Sequence, residues 1–352
     1  MEEQGFTAIA LETGLNESQR LQDFVAGGPS DAKAVARAGF TWGFGRYPEN
    51  IELLKWIRPY NLDPDHRRKI SLYGIDVSGG DADGEWARAR ITLDTALAFM
   101  ARSALAGSDH VAAEIAPFLD RFSAAAYRGM SKGERAKLRR AIGNLLAAFD
   151  SKRVRLVGAT SAKDFAQARQ NVVAAQQLQN LFDVSGLPDP EGRLRPGDYR
   201  ADAARDAAMA TNALWALGQE GPYGRVLVFA HNGHVMNARS RGGIWAIYAK
   251  APAAMGVQLR RALGRDLVIM GASAPTRGKG TGGPGAIDLA LASLGLEHFL
   301  LDIRTPSDAA SRWLKREKTM SVNYTTESLV RLDEAFDLLL FFDRLTRSKR
   351  ED

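Results

Sequence analysis

The sequence predicts an α/β fold: a largely parallel sheet flanked by helices, with an inserted all-helical subdomain. Three observations carry this expectation. Short apolar runs of strand length recur, each closing on a polar residue or a turn. Most of the stretches between them are long enough for the helical crossover that joins parallel strands. Between residue 85 and about residue 218, strand-like runs are scarce, and Ala, Leu, Arg and Gln sustain a helical period. Near-continuous apolar strands are what a sheet covered by helices on both faces requires.

The elements follow in order. Met1-Glu-Glu-Gln-Gly5 reads as the last turn of a helix, followed at once by a strand, so the chain is expected to begin in mid-fold. The first strand is 7–11, ending at Glu12. A helix is expected around 49–56, with Ile51, Leu54 and Trp56 as its apolar positions. A second strand over 70–73 leads into Gly74-Ile75-Asp76. Helices are then expected around 86–106, 111–127, 131–149, 162–182 and 199–217, with Pro- and Gly-rich loop signals at 187–192 and 194–197. A buried strand over 226–229 stops before His231. Further strands are expected at 267–270, 299–301 and 337–342, closing on Gly271, Asp302 and Asp343. On this reading residues 1–84 and 219–352 form the α/β core. Residues 85–218 form the helical insertion, which contributes to the active-site cleft. No repeat of fixed period is present.

Composition narrows the function classes. A chain of 352 residues with 45% hydrophobic and 25% charged residues has ample core for a globular protein. The net charge of +6 is spread among mixed charges without interleaved aromatics, which speaks against a nucleic-acid footprint and for a surface tolerant of anionic ligands. The absence of cysteine excludes disulfides, thiolate catalysis and Cys-zinc sites. No apolar run of about 18 residues is present, so no membrane span is expected. The N-terminus lacks the basic start and apolar stretch of a signal peptide. A cytoplasmic protein is the resulting expectation, with a leader upstream of Met1 left open; oligomeric state is left open too.

The sequence concentrates its chemistry at strand ends. Ala230-His231-Asn232-Gly233-His234-Val235 carries two of the five histidines, directly after an apolar run. Open α/β sheets place ligands at the carboxyl ends of strands, and imidazole is suited to proton transfer near pH 7. Glu12, Asp76 and the His231/His234 pair could therefore meet at one cleft, where a carboxylate would fix an imidazole tautomer and a histidine could activate water. The plain alternative is that each caps the next loop or helix. His-x-x-His beside carboxylates also meets the donor preference of zinc or manganese, which leaves a divalent metal as an alternative to a cofactor-free site. His66 and His110 read as solvated surface residues, and His298 as structural.

Two more clusters are ambiguous. Arg205, Met209 and Asn212 share a helix face by their spacing of four and three, so an arginine and an amide could grip a carboxylate or substrate oxygen. Equally, the helix could pack its Met and Trp in the core. Trp42, Trp56, Arg58, Tyr60 and Asn61 could line a pocket or simply pack a helix on the sheet. Gly278-Lys-Gly280-Thr-Gly-Gly283 matches a dinucleotide fingerprint formally. It starts several residues beyond its strand, however, and Pro284 follows, so nucleotide binding is not the favoured reading.

Taken together, several stretches resemble the erythromycin esterase-like family of hydrolases. They are residues 5–12, Trp56-Ile-Arg-Pro-Tyr-Asn61, Tyr73-Gly-Ile-Asp76, Arg205-Asp-x-x-Met-Ala-x-Asn-x-x-Trp215, Phe229-Ala-His-Asn-Gly-His-Val235, the Met255-Gly256 to Leu263-Gly264 segment and the terminal Phe336-Asp to Asp343-Arg344. The resemblance implies an α/β core with helical additions and hydrolysis of a carboxylic ester. In the best-known members that ester is a macrolide lactone and the activity confers antibiotic resistance. By position it implies Glu12, His231 and His234 in the active cleft, supported by Arg205 and Asn212. The family also opens with a strand ending in Gly-Glu-x-Thr-His-Gly, whose histidine is taken as the water-activating base, and this sequence lacks that motif.

The expected protein is thus an esterase working by His/Glu-activated water, with Glu12, His231 and His234 catalytic. Arg205, Asn212, Asp76, Trp56 and Arg58 would bind a small-molecule ester. The alternative is a catalytically impaired ligand-binding remnant of the same fold.

Overall fold

The computed structural model describes residues 3–80, 86–103, 108–185, 199–239, 241–247, 251–275, 286–321, 327–346 and 348–351. The glycine-rich segment 277–285 and the loop signals at 187–197 lie outside these residues. The chain divides into two compact units. One comprises Met1–Val184, Trp215–Val228 and Ser348–Asp352; the other comprises Ser185–Leu214 and Phe229–Arg347.

The first unit begins with β1 (Ala8–Gly14), α1 (Ser18–Val25), α2 (Ala32–Gly39), α3 (Pro48–Leu62) and β2 (Ser71–Asp76). The helices α4 (Ile91–Arg102), α5 (Ser108–Ile115), α6 (Ala124–Arg128), α7 (Lys132–Ser151), α8 (Arg153–Ala159) and α9 (Ala162–Val184) follow. The helix α10 (Tyr199–Gln219), which belongs to the second unit up to Leu214 and to the first from Trp215, leads to β3 (Val226–Phe229). Several helices start for a local reason. Asp31 accepts from the Lys33 and Ala34 amides ahead of α2, Pro48 is placed at the start of α3, and Ser131 and Glu134 form a reciprocal capping box for α7.

The strands of this unit run in the order β2-β1-β3, with β1 and β2 parallel. Ala8, Ile9, Ala10 and Leu11 are all buried, as expected for a strand covered on both faces. The β1–β2 register slips between Leu11 and Gly14: Leu11 pairs with Gly74, but Gly14 pairs with Asp76. Two residues of β1, Glu12 and Thr13, thus oppose a single residue of β2, a bulge that re-aims side chains at the strand end. A Cβ on Gly74 would come within 2.4 Å of the Gly14 carbonyl oxygen, so this close approach requires glycine. The outer edge of β2 is covered by α1: the Ser18 hydroxyl and the Gln22 side-chain carbonyl accept from the Gly74 and Leu72 amides, at 2.7 Å each.

The second unit contains the rest. It holds α11 (Asn232–Val235), α12 (Met255–Leu263), β4 (Met270–Ser273), α13 (Ile287–Ala292), β5 (His298–Asp302) and α14 (Asp308–Leu314). β6 (Lys318–Ser321), β7 (Glu327–Val330), α15 (Leu332–Ala335) and β8 (Leu338–Phe342) complete it. Here the order is β4-β8-β5, with β4 parallel and β5 antiparallel to β8, and β6-β7 stands as a separate antiparallel pair. Leu339 and Phe341 on the inner face pack with Phe336, Met236 and Ile287.

The mixed α/β class with parallel pairing holds, and the helices expected around 49–56, 86–106, 131–149, 162–182 and 199–217 form. The one expected at 111–127 is divided among α5, a 3-10 segment at Ala116–Arg121 and α6, with Pro117 and Ser123 at the breaks. The predicted strands, however, hydrogen-bond in separate sheets. The strand before His231 is not the buried one expected: β3 is the last strand of its sheet, and its alternate residues Leu227 and Phe229 are exposed.

Candidate active site

The His231–His234 turn is built wholly within the second unit. His231 caps α11, its Nδ1 accepting from the Gly233 amide at 3.0 Å. In the neutral ring that contact leaves the proton on Nε2, so His231 offers an N–H and not a lone pair at that atom. His234 is polarised the other way. Its Nδ1 lies 2.9 Å from the Asp206 carboxylate, and its Nε2 lies 3.3 Å from Arg205 Nη1. A carboxylate at Nδ1 and a guanidinium at Nε2 together fix the Nδ1–H tautomer, with Nε2 accepting from arginine. The two rings stand 6.3 Å apart, nearly perpendicular.

The surrounding chain holds this turn in place. The Asn232 amide donates to the Ala272 carbonyl at 2.7 Å and accepts from the Ala272 amide at 3.0 Å, tying the turn to β4 in the manner of a β-bridge. Asp206 also accepts from the Met255 amide at 2.7 Å, at the start of α12. The α12 backbone approaches so closely that a Cβ on Gly256 would lie 1.9 Å from the Val235 carbonyl oxygen. Asn212, two turns along α10 from Arg205, is fully buried.

In the first unit, Glu12 is half-buried in the β1 bulge. Asp76 is completely buried at the end of β2; its carboxylate accepts from Trp42 Nε1 at 2.9 Å and from the Val77 amide at 2.8 Å. Trp42 is the one non-glycine residue with positive φ among the described residues, at 58°. A bulky residue in that region is a strained conformation of the kind found at functional sites. Close by in the chain, Glu17 is buried and accepts from the Gly79 amide at 2.7 Å. Burial pushes its carboxyl above the usual range, against the opposing pull of the Gly79 N–H.

Trp56 and Arg58 lie on α3. Trp56 is 49% exposed and stacks on Tyr60 at 6.0 Å. The Arg58 guanidinium sits over the Phe24 ring and donates to the Phe24, Gly28 and Pro29 carbonyls, so it fastens the turn after α1. His298 opens β5, as expected, and His110 is exposed beside Glu114.

Within one unit the structure therefore brings together His231, His234 and Arg205; within the other, Glu12 and Asp76 occupy adjacent strands. Sequence reasoning missed the role of Asp206. Its only local signal is its place beside Arg205, on a helix whose opposite contacts pack the core. Among the described residues no three His, Asp or Glu side chains gather as a metal site, and no helix is long and apolar enough to cross a membrane.

Comparison with known proteins gives these residues a context. A family model described as erythromycin esterase matches residues 1–345. No curated protein matches the chain. A solved protein from Bacillus cereus shares the fold at a TM-score of 0.77 and 21% identity, covering 100% of this chain and 84% of its own. A solved succinoglycan biosynthesis protein gives 0.73 and 18% identity, covering 97% and 80%. A mutant of the erythromycin esterase EreC in its open conformation gives 0.68 and 17% identity, covering 98% and 85%.

Proposed function

We propose, on the premise that this chain belongs to the erythromycin esterase family, that it hydrolyses a small-molecule carboxylic ester, with a macrolide lactone as the substrate class. Glu12 is assigned to hold and deprotonate the attacking water. Attack on the carbonyl carbon forms a tetrahedral oxyanion, and the His231 Nε2–H and the Arg205 guanidinium are assigned to stabilise it. Collapse breaks the C–O bond and releases the alkoxide, which takes the proton from the carboxylic acid formed at Glu12. His234 is assigned to position Arg205, and the fully buried Asn212 and Asp76, expected from sequence to bind substrate, are assigned to support the site from behind without touching it. Trp56 offers a ring face, and Arg58 acts by fixing the adjoining turn.

The observation that carries this reading is the opposed polarisation of the two histidines. The Gly233 amide on His231 Nδ1 supports an N–H donor at Nε2, and Asp206 on His234 Nδ1 supports a lone pair turned to Arg205. Donors set in advance, so that no reorganisation is needed when charge develops, are what oxyanion stabilisation requires.

Hydrolysis of an aryl ester and of a macrolide lactone, with and without chelator, tests the assignment. Turnover that survives chelation and is lost in Glu12→Gln and His231→Ala, at unchanged melting temperature, supports it. Loss on chelation would instead indicate a divalent metal. No turnover, but a melting temperature raised by the lactone, would point to a catalytically impaired binding protein.

A further inference from the structure

A recess of about 260 Å³ opens in the first unit beside the edge of β2, between α1, the first turn of α9 and the end of α10. Its wall is aromatic and fixed. Trp215 meets Tyr73 edge-on with ring centroids 5.7 Å apart, and the Tyr73 hydroxyl donates to Glu220 at 2.7 Å. Gln19 lines the recess and carries a buried amide nitrogen that finds no acceptor among the described residues. A buried donor left so costs on the order of 1–3 kcal/mol, which a turn of the Gln19 side chain toward an incoming oxygen would remove.

The charges lie at the rim. Asp23 and Lys163 both line the recess, and both are exposed at the residue level. The Lys163 charge draws the Asp23 carboxyl down while partial burial pushes it up more strongly. Their formal charges cancel, while Asp164, which also lines the recess, accepts from the Ser161 hydroxyl at 2.8 Å and keeps its negative charge. The lining therefore carries one net negative charge, which disfavours anions and leaves carboxylate oxygens to accept from hydroxyl groups. What it offers is an aromatic wall, a buried amide donor, and a carboxylate and an ammonium able to serve hydroxyl groups as acceptor and donor.

We propose that this recess is a binding site for a single neutral sugar ring, whose C–H face lies on Trp215 and whose hydroxyl oxygens take the Gln19 amide. The polarised C–H bonds of such a ring complement the negative face of an indole. Size sets the limit at one ring, since pockets for drug-sized ligands run to roughly 300–1,000 Å³. The site is independent of the ester chemistry assigned above.

Methyl pyranosides of glucose, galactose and mannose, titrated against the intact protein with Trp-indole NMR and ligand-observed saturation transfer, test it. Saturable binding of at least one in the mM range, the regime of about −4 kcal/mol, is expected. Both Trp215→Leu and Gln19→Leu should weaken it about tenfold or more. Gln19→Leu also removes the buried donor, so it should hold or raise the melting temperature and leave ester turnover unchanged. Binding of none of the glycosides at about 100 mM overturns the proposal. So does tighter binding of free alanine or serine, or binding that survives both substitutions.

Discussion

The two strand ends that carry the candidate chemistry are built in opposite ways. At the end of β3, backbone and carboxylate are spent on imidazoles: Gly233 on His231, and Asp206 on His234. At the ends of β1 and β2, carboxylates are what is held, by Trp42 and the Val77 amide on Asp76 and by the Gly79 amide on Glu17. The first arrangement sets tautomers and so decides which ring atom can donate. The second keeps acids in place, and at Glu17 burial raises the carboxyl despite its hydrogen bond.

Substitutions can break that contrast, and the largest effect is expected at Glu12. Glu12→Gln removes the proton acceptor and should lower kcat/KM by roughly 10²–10⁴-fold, read by steady-state ester hydrolysis with the melting temperature as control. An active Glu12→Gln would remove the acid end from the chemistry altogether. His231→Ala should lower kcat by about 10²–10³-fold. His231→Gln is the sharper variant, because its amide can donate a hydrogen bond but cannot accept a proton at neutral pH. Partial recovery in His231→Gln identifies a donor, and equal loss in both variants identifies a base.

Smaller effects lie in stability. Asp206→Asn leaves an acceptor for Met255 but ends the charge-assisted bond to His234, and should cost about 1.5–3 kcal/mol in chemical denaturation. Asn232→Ala removes both bonds to the exposed Ala272, where water can replace them, and should cost about 0.5–1.5 kcal/mol, with a fall in kcat greater than the change in KM if the turn loosens.

The last effect is a slope. Because the folded-state carboxyl of Glu17 is raised, its contribution to stability is full below the unfolded value of 4.5 and is lost as pH climbs through the folded value. Glu17→Gln should flatten this decline and be relatively more stable above pH 4.5 than below it. A pH series of denaturation midpoints that runs parallel for both proteins would refute the burial account.

Much of the fold was legible because apolar burial is periodic. The runs ending at Glu12, Asp76 and His231 are strands, and the long helices of 131–149 and 162–182 form nearly as spaced. Pairing was not legible, since which strands share hydrogen bonds depends on contacts far apart in sequence. The β6–β7 pair has no long apolar run, for Met320 is the one apolar residue of Lys318-Thr-Met-Ser321, and it passed unnoticed. At the site, the His-x-x-His turn stands out by residue type. Asp206, 28 residues earlier, does not, because a lone aspartate on a helix looks like any solvated charge. Trp42 read equally as a pocket-lining or a packing aromatic, while its left-handed backbone is visible only in three dimensions.

The helix laid along the outer edge of β2 has one more consequence. Ser18 and Gln22, one turn apart on α1, already answer the outward amides of Gly74 and Leu72. A foreign strand arriving there would find those donors occupied and would have to displace two side chains before its first rung could form. Truncating both to alanine would leave the fold's topology in place but uncover the rungs. The sheet would then be open at that side to extension by another copy, and the same two short polar side chains would prove to have guarded the protein against its own neighbours.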